Sequence, residues 1–295
     1  MHYNGPIIRP QTDAFNSIFL EITVGCTHQG CKFCNFYDGY PFKMAPMEQI
    51  EADLQEIAEF APHAKKIWAS GGNPYALSVE KLAEIGQMIR RYVPDAQIST
   101  YAHINDFKQK SVEDIRYLKD VGYVDIVVGI ESADDEVLSH MNKGYTQADI
   151  IREFTKLEEA GVSYRIIYLG GLAGAGKCEE SAKRTAAVLN QFHPRMMILT
   201  TVAILPGTEL YDELQQGIFI EPSELERIEE FRTLIENLNN RIIVFAETST
   251  DMVSFTAYLP EEKESIVGQL NKVIDDFTEE DEQYFRAIRR SMKSV

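Results

Sequence analysis

The chain has 295 residues, 44% hydrophobic and 25% charged, the proportions of an ordinary globular protein with room for one large α/β domain. Its formal net charge of −17 argues against broad binding to nucleic-acid phosphates, which needs a surplus of Lys and Arg. No apolar run approaches the roughly 18 residues of a membrane span and MHYNGPIIRP has no signal-peptide pattern; four cysteines, three of them clustered, make no disulfide framework, so a reducing cytoplasm is expected.

In chain order, SIFLEITVG (17–25) predicts a strand that runs into a cysteine-rich loop. MEQIEADLQEIAEFA (47–61) has helical apolar spacing, and KKIWASGG (65–72) reads as a strand ending in glycines. Helix 79–93, strand 96–102, helix 112–122 and strand 124–132 follow, the last an apolar run closed by a carboxylate. Helix 147–161, strand 162–171, helix 179–192 and strand 195–205 complete six strand–helix units. Units of this kind with short connections build a parallel sheet with right-handed crossovers. Six are too few for a complete eight-unit barrel, so a partial barrel and an open doubly wound sheet both fit. After PGTELYDELQQG (206–217) the rhythm changes to a charged helix (223–238), a strand (242–247), a helix (261–277) and a helical tail through Val295 that reads as a solvated cap.

CTHQGCKFCNF (26–36) places Cys26, Cys31 and Cys34 within nine positions, with Phe33 just before the last. Structural zinc takes four protein ligands, usually as separated pairs, and the fourth cysteine, Cys178, is remote in sequence. His28 could contribute to a zinc site, although the spacing is not a familiar finger. A redox C-x-x-C reading (Cys31, Cys34) leaves Cys26 without a role. An iron–sulfur cluster held by three thiolates uses all three and leaves one iron open.

A strand followed by three clustered cysteines with an aromatic before the last resembles the radical S-adenosylmethionine (radical SAM) superfamily, and GIESADDEVLSHMNKGYT (129–146) is similar to the corresponding segment of its elongator-like, coproporphyrinogen-oxidase-like and methylthiotransferase-like branch. The resemblance spans roughly residues 17–220 and departs from the commonest pattern in its four-residue first gap, Thr27 to Gly30, where Gly30 would absorb the extra backbone. It implies an α/β fold, a partial (β/α)6 TIM-type barrel with parallel strands (1–220), with a mostly helical C-terminal extension (221–295). It also implies a [4Fe-4S] cluster on Cys26, Cys31 and Cys34, whose open iron chelates S-adenosylmethionine. Ser70-Gly71-Gly72-Asn73 then resembles the segment that meets the methionyl ammonium group, with Asn73 where an acidic residue is usual. Glu131 and Ser132 would lie near the ribose or methionyl part, Lys143 would face the methionyl carboxylate, and Phe33 and the stretch Val202 to Leu205 would flank the adenine. LGGLAGAGKCEES (169–181) mimics a phosphate loop, but Cys178 stands where a magnesium-holding Ser or Thr belongs.

By the same resemblance, an electron from an external donor of flavodoxin or ferredoxin type drives reductive cleavage of S-adenosylmethionine to a 5′-deoxyadenosyl radical, which abstracts hydrogen from substrate. Asn35, Tyr37, Tyr101, His103 and Asn105 are the candidate substrate residues, and their aromatic and amide character suits a small planar heterocycle. Asp38 and Tyr40 share the loop after the cysteines, and ETSTD (247–251) is a candidate lid. A lyase such as queuine lyase, in deazaguanine salvage, fits the size and acidity. The alternatives are a radical SAM RNA-modifying enzyme and a non-enzymatic zinc or other metal-binding module.

Overall fold

The computed structural model describes residues 1–292 except Arg9, Gln11 and Ala14, so the last three residues of the expected helical tail lie outside the described residues. In chain order the elements are β1 (Ile18–Glu21), β2 (Thr23–Val24), β3 (Lys43–Met44), α1 (Met47–Phe60), β4 (Lys66–Ser70), α2 (Val79–Tyr92), β5 (Gln97–Ala102), α3 (Val112–Val121), β6 (Tyr123–Glu131), α4 (Asp135–His140), α5 (Gln147–Ala160), β7 (Ser163–Gly170), α6 (Cys178–Leu189), β8 (Met196–Thr201), α7 (Glu209–Gln215), α8 (Glu224–Asn237), β9 (Ile242–Ala246), β10 (Phe255–Leu259), α9 (Lys263–Asp276) and α10 (Glu279–Ser291). Eight strands form one sheet in the order β1-β4-β5-β6-β7-β8-β9-β10. The pairs β1/β4, β4/β5, β5/β6 and β8/β9 are parallel, and β10 returns antiparallel on β9. The mostly parallel α/β architecture expected from the alternating units is therefore present. No helix among the described residues is long and apolar enough to cross a membrane.

Local chemistry sets the element boundaries. Ser111 and Asp114 form a reciprocal capping box at the start of α3, and Gly122 ends that helix at φ 129°. Ser223 with Glu226 and Thr278 with Asp281 do the same for α8 and α10. The expected strand 17–25 is broken at Ile22: β1 pairs with β4, whereas Thr23 and Val24 pair with Met44 and Lys43 in a separate two-stranded sheet. Four elements escaped the sequence reading. Two are very short (β3 and α4), α7 is seven residues capped by Thr208, and β10 alternates exposed and buried residues over only five positions.

The chain divides into two compact units. One comprises Met1–Gln29, Phe36–Gly129 and Arg152–Arg165; the other comprises Gly30–Asn35, Ile130–Ile151 and Ile166–Val295. The core of the first is built from Leu20, Ile50, Leu54, Ile67, Trp68, Leu82, Ile98 and Ile126, all fully buried. Near the amino ends of its strands lies a buried charge cluster. Arg165 forks onto Asp125 (3.0 and 2.7 Å) and reaches Asp13 (2.6 Å), while Lys66 bonds both aspartates, at 3.0 Å in the case of Asp125. These charges are mutually satisfied, which suits a structural plug. In the second unit, α10 is more than a solvated cap. Its buried Arg289 forks onto Glu224 (2.8 and 2.8 Å) and donates to Thr201 Oγ1 (2.8 Å) and the Thr250 carbonyl (3.2 Å).

Candidate functional site

In the first unit, the end of β4 determines where the first cysteine sits. Pairing of β1 with β4 runs from Ile18↔Ile67 to Glu21↔Ser70. It continues past both strands: Ile22 N–H donates to the Ser70 carbonyl (3.1 Å) and Gly72 N–H to the Gly25 carbonyl (3.0 Å). A Cβ on Gly72 would fall 2.4 Å from the Gly25 carbonyl oxygen, 2.9 Å from Cys26 Cβ and 2.9 Å from the Tyr37 ring. The missing side chain therefore serves close packing against the cysteine loop. The left-handed turn leading into Cys26 is made at Gly25 (φ 75°), where a Cβ would overlap the Tyr40 carbonyl oxygen.

Asn73 adds the next rung with its side chain. Its Oδ1 accepts from Thr27 N–H (2.9 Å) and its Nδ2 donates to Thr27 Oγ1 (2.6 Å). The same Nδ2 donates to both oxygens of Asp106 (2.8 and 3.0 Å), which also accepts from His103 N–H (2.8 Å). Burial pushes the Asp106 carboxyl up to about 7, against the opposing pull of these hydrogen bonds. The His103 ring stacks on His28 of the cysteine loop at 5.1 Å, and its Nδ1 accepts from Asn105 N–H. Tyr101 and Tyr37 are buried, Tyr101 edge-on to Trp68 at 4.9 Å. Thus the first unit brings Cys26, Ser70 to Asn73, Tyr37 and His103 into one neighbourhood. Sequence reasoning missed Thr27 and Asp106 there; only the short spacing of Asp106 from His103, a capping-box interval, hinted at it.

In the second unit, the segment Gly30–Asn35 carries Cys31 and Cys34. Lys32 N–H donates to the Met141 carbonyl (3.2 Å), Leu210 N–H to the Lys32 carbonyl (2.8 Å) and Asn142 Nδ2 to the Gly30 carbonyl (2.8 Å). Cys34 N–H closes a turn on the Cys31 carbonyl (3.1 Å), and Asn35 Nδ2 reaches the Pro206 carbonyl (3.3 Å). The Lys32 ammonium is ion-paired with Glu209 (3.1 Å) and Glu213, and Glu213 also bonds His140 (2.7 Å). The phenyl ring of Phe33 packs on the buried cluster that includes Met141, Leu172, Val202 and Leu210.

At the end of β6, Glu131 adopts φ 57°, and its Oε1 accepts from the Lys143 ammonium at 3.2 Å. Lys143 is buried and lies over the rings of Phe33 (5.6 Å) and Tyr145 (5.5 Å). Burial works against its charge, but the Glu131 carboxylate, with the Tyr145 and Cys31 groups, outweighs that and holds the ammonium well above the usual lysine range. Glu131 Oε2 is buried without a hydrogen-bond partner. An orphaned carboxylate oxygen beside a buried ammonium fits the paired charges of an amino-acid group, which is what the methionyl end of S-adenosylmethionine presents.

Other expected residues are placed differently. Ser132 Oγ pairs with Thr185 (3.3 Å) and accepts from Asp134 N–H (3.1 Å), so it is engaged in starting α4. The Leu205 carbonyl accepts from Thr208 Oγ1 (2.7 Å) in the turn before α7. The candidate lid 247–251 lies against β8, with Thr250 Oγ1 2.6 Å from Thr200 Oγ1. Cys178 is a buried thiol bonded to the Gly174 carbonyl (3.4 Å), and burial pushes its ionisation up. Among the described residues no set of three or more His, Cys, Asp or Glu side chains is arranged to hold a metal ion.

A family model described as the radical SAM superfamily matches residues 20–185, more than half of the chain. The chain belongs to the radical SAM superfamily. That superfamily works with a [4Fe-4S] cluster and S-adenosylmethionine. The chain is 27% identical over 213 residues to heme chaperone HemW of Bacillus subtilis, covering 68% of this chain and 54% of that protein. It is 23% identical over 223 residues to anaerobilin synthase of Escherichia coli O157:H7, covering 71% and 48%. It thus spans about half the length of these curated relatives. The solved coproporphyrinogen III oxidase HemN of Escherichia coli shares the fold, with TM-score 0.55, 20% identity and coverage of 74% of this chain and 51% of that one.

Proposed function

We propose that this radical SAM chain is an enzyme that uses Cys26, Cys31 and Cys34 as thiolate ligands of a [4Fe-4S] cluster and acts on a small planar heterocycle in the cytoplasm. The observation that carries the reading is the buried Glu131–Lys143 pair beside Phe33, within the segment matched to the superfamily. Lys143 would neutralise the methionyl carboxylate, and Glu131 Oε2 would accept from the ammonium group. Phe33, Val202 and Leu205 offer an apolar surface for the adenine. Gly71 and Gly72 pack closely on Thr23 and on the start of the cysteine loop, so Ser70 to Gly72 would act by holding Cys26 in place. When bound, the cluster and S-adenosylmethionine supply a 5′-deoxyadenosyl radical that takes a hydrogen atom from the substrate. The electron comes from an external flavodoxin- or ferredoxin-type donor.

Within this reading the reaction is a lyase-type cleavage, and two substrate classes follow. Queuine is supported by the chain's size and acidity and by the amide and aromatic groups of Asn35, Tyr37, Tyr101, His103 and Asn105. A tetrapyrrole is supported by the relatives, whose names refer to heme and coproporphyrinogen. Anaerobic reconstitution, followed by 5′-deoxyadenosine measurement with queuine, coproporphyrinogen III or heme, tests the reading. Cluster formation with substrate-dependent 5′-deoxyadenosine is expected. A chain that binds zinc, with no iron and no absorbance near 400 nm after reconstitution, would overturn it.

A further inference from the structure

Asn73 occupies the place where the superfamily resemblance expects an acidic residue, yet its amide is already engaged. One Nδ2 hydrogen goes to Thr27 Oγ1 at 2.6 Å, the other is shared by the two Asp106 oxygens, and Oδ1 holds Thr27 N–H at 2.9 Å. Both donors are used. Asn73 itself is buried, and Asp106 is fixed in turn by His103 N–H. Thr27 is the first residue of the four-residue gap and follows Cys26 directly. Gly72, the neighbour of Asn73, packs against Cys26 and the Gly25 carbonyl.

We propose that Asn73 is a positioning residue: backed by Asp106, it extends the β1/β4 pairing by one side-chain rung and sets the backbone that presents Cys26, without touching the cofactor. This rests on the function proposed above. The reason for an amide at position 73 follows from the partners. Thr27 N–H needs an acceptor and Asp106 needs a donor, and only an amide side chain offers both from one planar group. A carboxylate at position 73 would keep the acceptor, lose the donor and set two carboxylates about 3 Å apart, where they repel. Exchanging the two side chains restores a matched pair. The carboxylate, now at position 73, accepts from Thr27 N–H and from the amide at position 106, whose own oxygen accepts from His103 N–H.

The test compares Asn73→Ala, Asn73→Asp, Asp106→Asn, the double variant that combines Asn73→Asp with Asp106→Asn, and Thr27→Val, which removes only the hydroxyl rung. Backbone amide exchange at Thr27 is read in the cluster-free chain; iron and sulfide content and the electron paramagnetic resonance of the reduced cluster, with and without S-adenosylmethionine, are read after anaerobic reconstitution. Loss of the rung is expected to speed Thr27 exchange by about tenfold in Asn73→Ala and Asn73→Asp, with the double variant returning towards wild type. Iron content and the S-adenosylmethionine-induced spectral change are expected to fall and recover in parallel. Wild-type Thr27 exchange and spectra in Asn73→Asp would overturn the proposal and indicate direct cofactor contact. If the Asn73 variants fail to fold, wild-type Thr27 exchange and iron content in Asp106→Asn, which removes one of the two acceptor oxygens that back Asn73, would overturn it as well. A wild-type chain that takes up no iron would sink the functional reading, while the exchange measurement still decides the role of Asn73.

Discussion

The Lys143 ammonium lies 3.2 Å from Glu131 Oε1, and Glu131 is held in a left-handed backbone conformation rare for a residue with a side chain. Such strain costs on the order of 1–2 kcal/mol and concentrates at working sites. Removing one partner of a buried pair strands the other. Lys143→Met is therefore expected to lower stability by about 3 kcal/mol in urea unfolding. It should also weaken S-adenosylmethionine binding at least about tenfold, the loss of one charge-assisted contact. Glu131→Gln should also be destabilising, because it leaves the buried Lys143 ammonium without its counter-charge, although the amide oxygen can still accept from it.

The three loop thiols and Cys178 should separate cleanly. Replacing Cys26, Cys31 or Cys34 by alanine is expected to abolish the absorbance near 400 nm and reduce bound iron to background. Cys178→Ala should retain full iron, because that thiol is buried at the start of α6 and burial disfavours its thiolate form. Loss of iron in the Cys178 variant would contradict the assignment of ligands.

Gly72→Ala tests close packing at the β4 end. The added methyl would sit 2.4 Å from the Gly25 carbonyl oxygen and 2.9 Å from Cys26 Cβ, so backbone must move. A loss of about 2 kcal/mol or more is expected, together with reduced iron retention. Gly176→Ala is strained by its φ of 75° alone, since nothing lies within 4 Å of the new methyl; it should cost about 1 kcal/mol and leave iron unaffected.

The pH dependence follows from buried carboxyls. Burial pushes Asp106 and Glu230 up to about 7, and Asp251 up to about 6. Their unfolded values lie near 4, so the folded chain binds protons that the unfolded chain has released. The stability they contribute is fullest below about pH 4 and is lost as pH rises through about 7. Acidification from pH 8 to pH 6 should therefore stabilise the fold, by at most about 1.4 kcal/mol per pH unit for each group, and raise the melting temperature. Asp106→Asn should flatten that profile between pH 6 and 8, as thermal unfolding across the range would show.

Much of the fold was legible because its signals are local. Alternating apolar periodicities marked six strand–helix units. The cysteine loop was legible for the same reason: three thiols in nine positions form a pattern within one segment. Short elements such as α4 and β10 were not, since so few residues carry too little periodicity to separate from loop.

The amino-acid sequence by itself determined the alternation that builds the parallel sheet, the thiol spacing and the superfamily those two features belong to. Only the tertiary structure decided that Glu131 faces Lys143, and that Asn73 is engaged by Thr27, 46 residues before it, and Asp106, 33 residues after it. Spacing along a chain names which groups are available. Which donor meets which acceptor depends on strand register and loop path, and these are settled when distant segments pack.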